Sequence, residues 1–173
     1  MKKIYNCRHW PEYLKQEHLF EKAFIRGSGK GGQNRNKTSN AVQVRFWHIR
    51  AQASEERSLD LNLKRALRRL KIKIALDCTP NFEHRSHWTK EERAEKINHI
   101  FLVAENDLRY PQAIGCLVDL FLSLQCDWAE LGKNLPFPSN QISKWFLENQ
   151  PVKKHLLLLK KMLAQKNSPA LEG

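Results

Sequence analysis

The chain has 173 residues, 41% of them apolar and 28% charged, with a formal net charge of +12. This is the composition of a globular chain rather than a disordered one, and the longest apolar runs, such as Leu156 to Leu159, are too short to cross a bilayer. Met1-Lys2-Lys3 is followed by no apolar stretch, which argues against a secretory signal, and the scattered Cys7, Cys78, Cys116 and Cys126 suit reduced thiols in a cytoplasmic protein.

The positive charge is one-sided. Residues 1–75 hold 18 Lys and Arg against 6 Asp and Glu, whereas residues 76–173 hold 12 of each. A field of that kind draws a polyanion, and phosphate backbones are the commonest polyanion in a cell.

In chain order, Pro11 sets up a brief helical turn around Glu12 to Glu17, and the apolar residues of 18–25 predict a strand reaching Arg26. Residues 27–40 are rich in Gly, Asn, Ser and Lys, the composition of a long mobile loop of functional type. Val42, Val44 and Phe46 then alternate with Gln43, Arg45 and Trp47, which predicts a strand over 41–48, with a second short strand at 49–53. Over 58–76 the period becomes helical. Leu59, Leu63, Leu67, Leu70 and Ile74 share one face, and Lys64, Arg65, Arg68, Arg69, Lys71 and Lys73 crowd the others.

Pro80, Asn81 and Ser86 interrupt any period in the next stretch. Thr89 to Glu92 is a capping-box signature, opening a helix with Ala94, Ile97, Phe101 and Ala104 on one face. Pro111 suits a first helical position ahead of Ile114, Leu117, Val118 and Phe121. A short helix near Trp128 to Leu131, a turn at 135–138, a helix over 139–149 and a last helix from Val152 complete the chain. Leu156, Leu159 and Leu163 line one side of that last helix. The predicted fold is α+β. A small domain over 1–76 combines a short mixed sheet with a basic helix, a linker covers 77–89, and a small all-helical domain covers 90–173.

Two familiar readings of the glycine loop fail. A phosphate-binding P-loop needs Gly five residues before a Gly-Lys pair and Ser or Thr after it, but Phe24 and Gly31 occupy those positions. Gly27, Gly29 and Gly32 match a dinucleotide fingerprint, yet that motif needs a following helix and an acid about 20 residues on. A strand is predicted instead, and no acid occurs between Gln33 and Ser54.

The segment from Arg26 to Val42 resembles the catalytic loop of class I peptide chain release factors. Gly29, Gly31-Gly32-Gln33, Asn36-Lys37 and Ala41-Val42 fall in register with that pattern, and Arg57-Ser58, Asn62 and Ala66-Leu67 continue it through residue 76. Lys30, Arg35 and Asn40 depart from the residues usual in the family. The resemblance implies that Gly31, Gly32 and Gln33 catalyse hydrolysis of the peptidyl-tRNA ester. The Gln33 backbone N–H would face the developing oxyanion, and the Gln33 side chain would shape the pocket that admits water. It further implies the ribosome and peptidyl-tRNA as partners, with large-subunit rRNA around the peptidyl transferase centre and a methyltransferase acting on Gln33. Arg26, Lys30, Arg35, Asn36, Lys37, Arg57, Lys64, Arg65, Arg68 and Arg69 are the expected RNA contacts.

No domain that would inspect a stop codon is evident, so the resemblance is to short codon-independent rescue factors, whose basic tails often bind RNA. Lys153, Lys154, Lys160, Lys161 and Lys166 supply some such charge, although the leucines beside them suggest a packed helix. A monomer without cofactor or metal is expected. Two other readings stay open: a non-catalytic ribosome- or RNA-binding factor, and a DNA-binding regulator using a helix-turn-helix over 127–150 with Ser139 to Trp145 as the reading helix. For that segment a packing role is the stronger reading. Cys78, His84 and His87 lack a paired C-x-x-C, which favours an ordinary linker over a zinc site.

Overall fold

The computed structural model describes residues 14–25, 41–78, 89–105, 107–135 and 137–167. Strands β1 (Glu21–Ile25), β2 (Ala41–Phe46) and β3 (Ile49–Ala53) form one sheet in the order β1-β2-β3. Both pairings are antiparallel, so the sheet expected to be mixed has no parallel pair among the described residues. For β2 and β3 the reason is short connection: Phe46 pairs with Ile49, leaving only Trp47 and His48 for the turn, and a parallel crossover needs far more chain. Trp47 takes a left-handed φ of 57° to close that turn.

Alternation along the strands decides which face is covered. Val42, Val44 and Phe46 are buried on β2, and Ile49, Ala51 and Ala53 on β3. Helix α1 (Leu59–Cys78) packs on β2 and β3, closing the core with Ala66, Leu67, Leu70, Ile74 and Ala75. The apolar stripe starts later than its leucines suggest, since Leu59 is 37% exposed and contact with the sheet begins at Leu63. Strand β1 starts at Glu21 rather than His18, because Glu17–Leu19 forms a 3-10 turn in which Leu19 N–H donates to the Gln16 carbonyl. That turn aims Phe20 edge-on at Phe46, with ring centroids 5.6 Å apart.

The second core is helical. It contains α2 (Lys90–Leu102), α3 (Arg109–Ser123), α4 (Trp128–Asn134), α5 (Ser139–Glu148) and α6 (Gln150–Asn167). Helix α3 is its centre, burying every residue from Ala113 to Leu122. Pro111 is the third helical residue, not the first, because Asp107 accepts the Arg109 N–H at 2.8 Å and draws the helix start back. A proline is tolerated there, since first-turn N–H groups have no partner within the helix. Ala104 lies beyond the end of α2 and is exposed. The two cores meet along α1: Leu67, Leu70 and Ile74 serve the sheet, while Ile72 and Leu76 pack with the helices. Arg68 of α1 and Glu105, just after α2, pair across that junction at 2.6 Å.

Candidate nucleic-acid interface

The hairpin of β1 and β2 places the glycine-rich segment. Ile25, the last residue of β1, is the register partner of Ala41, the first of β2, so residues 26–40 join two paired strand ends. Ala41 and Val42 are buried beneath that exit, whereas β1 is exposed from Glu21 to Phe24. Arg26, Lys30, Gly31, Gly32, Gln33, Arg35, Asn36 and Lys37 all belong to this segment and lie outside the described residues.

The other expected contacts are on or beside α1. Ser58 opens the helix, its Oγ accepting the Leu61 N–H at 3.4 Å in N-cap fashion. Asn62, fully buried, then holds the preceding loop. Its Oδ1 accepts the Glu56 N–H at 3.0 Å and its Nδ2 donates to the Glu56 carbonyl at 2.8 Å. This clamp fixes both the acidic pair Glu55-Glu56 and the adjacent Arg57 relative to α1.

That acidic pair changes the character of the basic helix. Arg65 donates to Glu56 Oε1 at 2.6 Å, and Arg69 reaches Glu55 Oε1 at 2.6 Å while also donating to the Gln52 carbonyl. Partial desolvation pushes the Glu55 carboxyl up, but hydrogen bonds from Arg69 and the Ser54 N–H outweigh it and hold its pKa below the usual value. With Arg68 on Glu105, three of the expected RNA contacts are engaged by carboxylates within the protein. Arg57 and Lys64 are exposed and make no ion pair among the described residues. Lys71 pairs with Glu17, and Lys73 donates to the Arg50 carbonyl, both at 2.7 Å. The partners Glu17 and Glu105 come from distant sequence, so no local pattern could have revealed them.

A cleft of about 300 Å³ opens where the two cores meet, lined by His48, Arg50, Lys73, Asp77 and His155 among others. His48 Nε2 lies 2.9 Å from Asp77 Oδ2. Burial pushes the His155 pKa down, against smaller upward effects from Asp77 and from a hydrogen bond with the Leu76 backbone. No cluster able to hold a metal occurs among the described residues, and His84 and His87 lie outside them.

The helix-turn-helix candidate comprises α4, the turn and α5. Asp127 caps α4 by accepting the Ala129 and Glu130 N–H groups. Ile142, Trp145 and Phe146 of α5 face the core, with the Trp128 and Phe146 rings edge-to-face at 5.4 Å. Gln141, Ser143 and Lys144 remain exposed.

Comparison with known proteins bears on the sheet-bearing region. Residues 13–106 match the family model described as the RF-1 domain, more than half of the chain. A zebrafish (Danio rerio) protein named "Mitochondrial translation release factor in rescue" is 38% identical over 92 residues, covering 47% of this chain and 58% of that protein. No solved structure matches. The release-factor resemblance of the glycine loop and the matched span therefore agree: the chain belongs to the RF-1 domain family.

Proposed function

We propose that this protein hydrolyses peptidyl-tRNA on the ribosome to free stalled nascent chains, acting without reading a stop codon. The observation that carries this reading is the Ile25–Ala41 pairing, which anchors the segment bearing Gly31, Gly32 and Gln33 inside the family-matched region. The rescue aspect draws support from the name of the zebrafish relative, of whose length the chain spans 58%.

In this mechanism water attacks the ester carbonyl that joins the peptide to the tRNA 3′ end. Negative charge gathers on the carbonyl oxygen, and the Gln33 backbone N–H donates to it. The bond to the tRNA 3′ oxygen then breaks, that oxygen leaves as a hydroxyl with a proton from the water, and the peptide departs as a carboxylic acid. Gly31 and Gly32 permit the backbone path that brings that N–H into place, a path closed to residues with Cβ. The Gln33 side chain confines the water, and a methyltransferase acting on Gln33 would tune that pocket. The ribosome supplies the remaining surroundings. Arg57 and Lys64, unpaired among the described residues, serve as the first phosphate contacts from α1. The protein works as a monomer in the compartment where its ribosomes translate.

Purified protein added to ribosome–nascent-chain complexes, with and without a stop codon in the A site, tests the proposal. Release in both cases is expected. Absence of release from either complex would refute the hydrolase reading, and release at stop codons alone would refute codon independence.

A further inference from the structure

Helix α6 carries apolar residues on two faces, and the protein interior uses one of them. Val152, Leu156 and Leu159 are buried, and Leu163 packs against the same cluster. On the other side Leu157 is 40% exposed, Leu158 53% and Met162 56%. At roughly 100° per residue, Lys154 and Lys161 fall between Leu157 and Leu158 around the helix. Both lysines are exposed and make no ion pair among the described residues. The span from Gln150 to Asn167 contains five lysines and no Asp or Glu.

We propose that this outward face of α6 docks an acidic amphipathic helix of a partner protein. Lys154, Leu157, Lys161 and Ala164 follow the spacing of a helix–helix seam, in which a neighbouring helix would lay its own side chains between them. Lysines at such positions repel a second copy of α6 and accept Glu or Asp from a different chain, so the seam selects a heterologous, acidic partner. A membrane surface fits poorly. Insertion of Leu157 and Leu158 would carry the two ammonium groups between them toward the hydrocarbon, where unpaired charge is costly. A phosphate backbone would satisfy the lysines and leave Leu157, Leu158 and Met162 uncovered. Only a partner offering carboxylates and apolar side chains together meets every group on this face. The inference stands apart from peptidyl-tRNA hydrolysis and does not depend on it.

The test uses full-length protein and a fluorescein-labelled synthetic helical peptide with leucines along one stripe and glutamates flanking it. Saturable binding by fluorescence anisotropy at physiological salt is expected. Joint replacement Leu157→Ser with Leu158→Ser should weaken it about tenfold or more, as loss of seam anchors does. The charge reversal Lys154→Glu with Lys161→Glu should transfer binding to a lysine-flanked version of the same peptide. All four positions are exposed, and circular dichroism confirms that each variant is folded; Met162→Ser serves as a second apolar variant. No saturable binding would overturn the proposal. So would binding indifferent to the serine replacements, which marks bulk charge attraction, or equal binding of single-stranded RNA or phosphatidylglycerol vesicles with the same variant sensitivity.

Discussion

Asn62 holds Glu56 by both of its backbone polar groups, accepting from the N–H at 3.0 Å and donating to the carbonyl at 2.8 Å. A buried carboxamide is well suited to this task, because it offers donor and acceptor side by side. Its consequence reaches beyond the loop: Glu55 and Glu56 then stand where Arg65 and Arg69 of α1 can meet them.

Replacing Asn62 with Ala strips two backbone groups of their partner and leaves a void in a fully buried site. A destabilisation of about 1–3 kcal/mol is expected from unsatisfied hydrogen-bonding groups. Asn62→Asp should be no better, since a carboxylate cannot donate to the Glu56 carbonyl. Urea unfolding midpoints check both variants. A loss smaller than that of a surface substitution would show that the loop is held by something else.

Glu55→Gln separates stability from RNA contact. The Arg69–Glu55 pair is exposed by 40% and 44%, so it contributes less than about 1 kcal/mol to folding. If Arg69 contacts RNA as proposed from the family resemblance, however, the Glu55 carboxylate competes with phosphate for the same guanidinium. The variant should bind ribosomes more tightly, with the slope of log affinity against log salt steeper by up to about one. Unchanged affinity and slope would place Arg69 outside the RNA interface.

His155 makes folding sensitive to mild acid. Burial lowers its pKa in the folded protein, so the unfolded chain binds the proton more readily. The sign follows: the contribution is intact above the unfolded value of about 6.5, and stability falls as pH drops below it toward the folded pKa. Urea midpoints between about pH 8 and pH 5 should decline below 6.5, with a shallower decline in His155→Phe. Equal slopes in the two proteins would assign the effect to other groups.

The legible parts of the fold share a cause. Strand β2 and the core of α1 are set by short-range periodicity, and Val42, Val44, Phe46, Leu67, Leu70 and Ile74 are all buried as their spacing suggests. The pairing of the basic helix was not legible, because Glu17 and Glu105 reach Lys71 and Arg68 only after the chain has folded. A run of arginines is read as free charge until its acids are located in space. For the candidate site the balance is reversed. Gly31, Gly32 and Gln33 stand out by motif alone, whereas the structure describes only the strand ends that carry them.

Gly32→Ala addresses that motif directly. A methyl group at this position closes backbone conformations that glycine allows, and under the proposed mechanism would move the Gln33 N–H away from the developing oxyanion. Loss of one such donor elsewhere costs about 100- to 1,000-fold in rate, and a fall of that order in peptide release is expected. Ribosome affinity should change little, because the proposed phosphate contacts, Arg57 and Lys64, lie on α1 and the loop before it, outside the glycine segment. Single-turnover release and ribosome co-sedimentation, run on the same preparation, separate the two quantities. Release lost with binding retained identifies the loop as catalytic machinery. Binding lost in parallel would make it a docking element, and would move the protein to the class of non-catalytic ribosome-binding factors.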